Sequence, residues 1–148
     1  MEVKIKLINP KCMPVRMSTQ AAGYDVFTSK RKYMRKGRNL VPLGFALEMP
    51  PNMWAEIRPR SSFSLHGFLS RKGHVNADSL LGTIDADYRG EVNAIVYARQ
   101  PFIIEENTRI AQIVFHQLPE TNLTLVDELS DTLRGNKGFG STGTNHKQ

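Results

Sequence analysis

The sequence predicts an all-β fold, a barrel or a sandwich, on three observations. Apolar and polar residues alternate in short segments, turn residues separate those segments at near-regular spacing, and eight prolines punctuate the chain too often for long helices. Taken in order, VKIKLI at 3–8 reads as the first strand because charged and apolar side chains alternate along it. YDVFTS at 24–29, NLVPLGFALEM at 39–49 and MWAEIRP at 53–59 follow with the same period. Pro59 ends that series, and one short helix is expected after it, with Ser61 or Ser62 as N-cap and Gly67 as the stop. EVNAIVYAR at 91–99 and ENTRIAQIVFHQL at 106–118 complete the strands. No internal repeat is visible. The compact domain is expected over 1–130, with 131–148 as a flexible glycine-rich arm.

Bulk properties bound the function. With 148 residues the chain is one domain by the length prior, and its 40% hydrophobic and 23% charged content is that of a globular protein. No run approaches the roughly 18 apolar residues of a membrane span, and the opening MEVKIKLINP reads as a strand rather than a signal peptide. A cytoplasmic location is the expectation. Cys12 is the only cysteine, which excludes an intrachain disulfide, and the four histidines lack zinc-ligand spacing. The net charge of +6 is matched in size by the six basic residues of KRKYMRKGR at 30–38. Such a run suits a solvated loop or a charge-protected edge strand. As a nucleic-acid site it would bind weakly and with steep salt dependence, and no specific nucleic-acid partner is expected.

Three clusters carry chemistry. RGNKGFGSTGT at 134–144 has the composition of a frayed tail, but also of a loop that closes on an anion. Its glycines free backbone N–H groups, Gly140 among them. Ser141 and Thr142 add hydroxyls, Arg134 and Lys137 add charge, and Phe139 can lie across a flat base. It is neither a dinucleotide fingerprint, lacking a flanking strand and helix, nor a Walker A loop, since Ser141 stands at the lysine position. RPRSS at 58–62 sets Arg60, Ser61 and Ser62 at a strand-to-helix turn, which suits either an anion site or an ordinary cap. In GTIDADYRGE at 82–91, Asp85 and Asp87 share a face if extended, and a hairpin would present an acid beside the Tyr88 ring. A carboxylate there suits general-base activation of water in phosphoanhydride hydrolysis.

Five stretches in order resemble the trimeric dUTPase family: AAGYDV at 21–26, RPRSS at 58–62, GTIDADYRGE at 82–91, TRIAQIVF at 108–115 and RGNKGFGSTG at 134–143. The resemblance implies a jelly-roll-like β-barrel subunit, a homotrimer with active sites at subunit interfaces, and hydrolysis of dUTP to dUMP and pyrophosphate. It implies that Asp85 activates water against the α-phosphate, and that Tyr88 packs on deoxyribose and rejects UTP. Backbone groups from Leu80 to Gly82 would pair with uracil. Arg60, Ser61 and Gln112 would grip the phosphates, with Ser62 beside them. Arg134 and Ser141 would reach the γ-phosphate and Phe139 would cover the base. Mg²⁺ would be held by triphosphate oxygens and water, with Asp25 in the outer shell or, equally, tying down the Gly23–Tyr24 turn.

The chain departs from the family pattern at Ser62, where glycine is common, and at Ser79, where many members carry asparagine six residues before the base. Two rivals stand beside this reading. One is a dCTP deaminase of the same fold, which ammonia release from dCTP would reveal. The other is a dUTP-sensing regulator that binds a partner protein.

Overall fold

Short strands and sharp turns set the path of the chain. The computed structural model describes residues 2–70 and 73–138. The strands are β1 (Lys4–Leu7), β2 (Tyr24–Phe27), β3 (Lys32–Met34), β4 (Gly37–Pro42), β5 (Phe45–Glu48), β6 (Met53–Arg58), β7 (Phe68–Ser70), β8 (Gly73–Val75), β9 (Ala77–Leu80), β10 (Gly82–Ile84), β11 (Asn93–Ala98), β12 (Phe102–Ile104) and β13 (Arg109–Gln117). A 3₁₀ turn, Pro10–Cys12, follows β1, and α1 (Ser61–His66) follows β6. All strand pairings are antiparallel. One sheet runs β10-β6-β13-β2 and another β4-β11-β9, and three two-stranded ribbons, β1-β5, β12-β3 and β7-β8, complete the fold. This mostly-β arrangement with one short helix is the jelly-roll-like subunit expected from the sequence.

Alternation explains the core. Along β6, Met53, Ala55 and Ile57 point inward while Trp54, Glu56 and Arg58 point out. Val26, Phe45, Ile57, Val96 and Ile113 meet from five strands in one cluster, each fully or almost fully buried. Burial of such side chains stabilises the fold by about 1.5–3 kcal/mol apiece. Among the described residues no helix is long and apolar enough to cross a membrane.

Three expectations are corrected. NLVPLGFALEM is not one strand, because Gly44 (φ +75°) breaks it and sends β4 and β5 to different sheets. Arg60, not a serine, is the N-cap of α1, and it makes no side-chain cap bond; Gly67 does end the helix, donating its N–H to the Phe63 carbonyl at 2.8 Å. The segment 82–91 is not a hairpin, since β10 joins β6 while β11 joins β4 and β9. The last strand closes at Gln117, and residues 118–137 are exposed throughout, with Leu123, Leu125, Leu129 and Leu133 almost wholly bare.

Candidate active site

One irregularity in β13 builds the cationic half of the site. Its strand pairs with β2 through Arg109–Phe27 and then Ala111–Val26, so Ile110 is an extra residue in the ladder. Ile110 and Ala111 are both buried, which a regular strand forbids to neighbours on a half-buried sheet. The offset leaves Arg109 and Gln112, three residues apart, both directed away from the core. The turn before it is fixed by Thr28, whose Oγ1 donates to the Glu105 carbonyl and accepts the Thr108 N–H at 2.9 Å. Asn107 adopts the left-handed conformation there (φ 56°), which asparagine tolerates well.

Asp25 lies at the centre of this half. It is 8% exposed, and its Oδ1 meets Arg60 Nε at 3.0 Å while Oδ2 meets Arg109 Nη1 at 3.2 Å. Beside it in register stand Gln112 and then Arg58. Gln112 donates from Nε2 to the Pro59 carbonyl at 3.1 Å. Its amide packs on Gly23, where a Cβ would come within 2.9 Å of both Gln112 Oε1 and the Ile113 carbonyl. Ser61 and Ser62 are exposed in the first turn of α1, next to Arg60. Two guanidiniums against one carboxylate leave the cluster with excess positive charge, as an anion site needs. Arg109 escapes sequence reasoning because nothing but the adjacent Ile110–Ala111 pair betrays the offset.

The acidic half is elsewhere. Asp85 follows β10 in a turn closed by the Tyr88 N–H to the Asp85 carbonyl (3.2 Å), so Asp85 and Asp87 are not on one extended face. Its carboxylate is exposed, with no hydrogen bond or ion pair among the described residues, in an open groove of about 590 Å³ lined by Trp54, Thr83, Asp87 and Leu118. Tyr88 donates its hydroxyl to the Glu91 carbonyl at 3.1 Å and lies over Gly90, where a Cβ would overlap the Tyr88 hydroxyl. Leu80 ends β9 and Gly82 begins β10; with Leu81 exposed between them, the two strands depart to separate sheets. Ser79, on β9, is buried, and its Oγ has no hydrogen-bond partner among the described residues.

Register fixes the distance between the halves. Ile84 pairs with Ala55 and Gly82 with Ile57, so Asp85 sits near the start of β6 while Arg60 lies beyond its end. At a rise of about 3.3 Å per residue the two are roughly 15–20 Å apart. Among the described residues Arg134 is bonded only within its own turn, Nε to the Lys137 carbonyl at 3.0 Å, and joins neither half. Phe139, Gly140 and Ser141 lie outside the described residues. Among the described residues no three His, Cys, Asp or Glu side chains are grouped to hold a metal ion.

The sequence model of the dUTPase family matches residues 9–143. Deoxyuridine 5′-triphosphate nucleotidohydrolases of Cytophaga hutchinsonii and of Paramecium bursaria Chlorella virus 1 are 37% and 38% identical to the chain, over 97% and 93% of it and 94% of each relative. A variant of the Staphylococcus bacteriophage 80alpha dUTPase solved with dUpNHpp is similar at a TM-score of 0.83 and 23% identity, over 97% of this chain and 99% of that one. A variant of the dUTPase from phage phi11 of S. aureus, described with a structural Mg(II) ion, gives 0.75 and 18%, over 86% and 98%. At those identities the two structures speak to the fold.

Proposed function

The chain belongs to the dUTPase family, and from that membership we infer that it hydrolyses dUTP to dUMP and pyrophosphate, which keeps uracil out of DNA and supplies dUMP for thymidylate synthesis. The observation that carries the mechanistic reading is the separation of Asp85 from Arg60 along β6. A backbone separation of that size is wide for one nucleotide to bridge within a single subunit and supports a shared site: Asp85, Tyr88 and the Leu80–Gly82 backbone from one copy, Arg60, Ser61, Ser62 and Gln112 from the next. The bare leucines of residues 118–137 fit the same picture, because four exposed leucines on one segment call for cover by another copy. A homotrimer with the arm of a third copy closing each site, bringing Arg134, Phe139, Gly140 and Ser141, satisfies these needs.

In that site Asp85 takes a proton from the water that attacks the α-phosphorus, and pyrophosphate leaves on the opposite side. Among the described residues it has no ion pair, which leaves both oxygens available for this task. Arg60 and Gln112 hold the phosphate chain in line, aligned by Asp25 and by the Pro59 carbonyl. Tyr88 fills the space that a ribose 2′-hydroxyl would need. Backbone donors and acceptors near Leu81 read the uracil edge and mismatch that of cytosine.

The donor set suits Mg²⁺ that enters on the nucleotide. A carboxylate has about four lone-pair sites, and Asp25 spends one contact from each oxygen on an arginine, so it can still accept from a metal-bound water. Direct ligation is disfavoured by the adjacent guanidiniums. Such an ion, entering on the nucleotide with Asp25 in its outer shell, would supply charge neutralisation for the leaving pyrophosphate.

Pyrophosphate release from dUTP, dCTP, dTTP and UTP tests the reading. Release is expected from dUTP alone, and Asp85→Asn is expected to abolish it while dUTP still binds. Ammonia release from dCTP, or full activity of the variant, would overturn it.

A further inference from the structure

We propose that the corner between β3 and β4 is a sequence-independent docking surface for single-stranded nucleic acid. The basic run at 30–38 is folded into this corner, and the corner is built rather than frayed. Asn39 accepts the Arg35 N–H at 2.9 Å and donates to the Arg35 and Gly37 carbonyls at 2.8 and 2.9 Å, holding Arg35 and Lys36 at the apex. The ordering cost of a charged loop is therefore met before any ligand arrives.

Exposure alternates along the chain entering the apex. Met34 is buried, Lys32 is half-buried, and Arg31, Tyr33 and Arg35 are exposed on one face. Tyr33 is 59% exposed, and its cross-strand neighbour Ile103 is 41% exposed. Tyr33 and Ile103 are thus exposed and paired in register, with Arg31 and Arg35 two residues to either side of Tyr33 along the chain. Residues i and i+2 of a strand are about 6.6 Å apart, close to twice the 3.4 Å per-strand rise of stacked DNA. A strand with its bases spread apart matches that step, with one base on Tyr33 and phosphates on Arg31 and Arg35.

The charge is available. Arg31 pairs with Glu105 at 3.3 Å, but among the described residues Lys30, Lys32, Arg35, Lys36 and Arg38 have no carboxylate partner. The six together equal the whole net charge of +6. Within its ribbon β3 pairs with β12 alone. Among the described residues no hydrogen bond or ion pair joins the basic side chains to Asp25, Arg60, Gln112 or Asp85. An anionic membrane would attract the same cations, yet one tyrosine and one isoleucine are a small apolar face for insertion into lipid.

The test is fluorescence anisotropy with a labelled oligothymidylate of about 20 nucleotides. Micromolar binding is expected at about 50 mM salt, and affinity should fall about 50-fold by about 200 mM, the loss expected for four phosphate contacts on a single strand. Arg31→Glu, Arg35→Glu and Lys36→Glu combined should weaken binding more than about tenfold, and Tyr33→Ala at least about fivefold with the salt slope unchanged. A control carrying Lys4→Glu, Lys6→Glu and Lys11→Glu has the same total charge and should keep most of the affinity. All variants should turn over dUTP as the wild type does, which shows that they fold. The proposal is overturned by absence of binding at low salt, by a triple variant that binds like the wild type, by a control that loses as much, or by binding to phosphatidylserine vesicles but not to the oligonucleotide.

Discussion

Arg60 is held to Asp25 by a 3.0 Å contact from Nε to Oδ1, on a carboxylate whose second oxygen is taken by Arg109 at 3.2 Å. The acid thus aims two cations that would otherwise repel each other and drift apart. Asp25→Asn keeps the shape and removes the charge. It should raise KM for dUTP at least about tenfold and cost about 1–3 kcal/mol of stability, less than a fully buried pair because both guanidiniums stay partly solvated. Steady-state kinetics and urea unfolding measure both, and an unchanged KM would refute the aiming role.

Subunit mixing addresses the separation of Asp85 from Arg60. Asp85→Asn and Arg60→Ala homotrimers should each be nearly inactive. Denatured, mixed in equal amounts and refolded, they should recover about a quarter of wild-type activity, since a quarter of randomly assembled interfaces carry both intact residues. No recovery would mean that both groups act from one chain.

Gly23 leaves room for the Gln112 amide. Gly23→Ala should displace that amide and lower kcat/KM about as much as Gln112→Ala does. The double variant should be little worse than either, because both changes remove one contact. Additive losses would show that Gly23 serves something else.

Gly90 lies under the Tyr88 ring. Gly90→Ala should push the ring off its seat and raise UTP turnover relative to dUTP about tenfold, a change worth about 1.4 kcal/mol of discrimination. Paired assays on the two nucleotides read this directly, and an unaltered ratio would remove Tyr88 from sugar selection.

Burial pushes the Cys12 thiol up from its ordinary value of 9.0, and Glu106 and Glu91 add to the shift. The folded chain keeps this proton where the unfolded chain gives it up, so stability falls as pH rises past the unfolded value. Cys12→Ala should be less stable at neutral pH for want of a buried side chain, and the gap should narrow between about pH 8 and 10. Urea midpoints across that range would show it. A constant gap would mean that the thiol titrates alike in both states.

What the sequence disclosed depended on length and regularity. β6 and β11 have six residues each with clear alternation, and β13 has nine with a single break at Ile110–Ala111, so all three are legible. β3, β7, β8, β10 and β12 have three residues each, too few to show a period. The candidate residues Asp25, Arg60, Gln112 and Asp85 came from local motifs. Their grouping did not, because the separation of Asp85 from Arg60 depends on which residues of β10 and β6 face each other, and the link from Asp25 to Arg109 depends on the extra residue at Ile110. Both are properties of strand pairing that no single segment carries.

The bare leucines after β13 bear on the life of a newly made chain. Left uncovered, Leu123, Leu125, Leu129 and Leu133 offer a sticky ribbon to any unfolded neighbour. A version cut after Leu118 should escape that hazard and stay in solution longer.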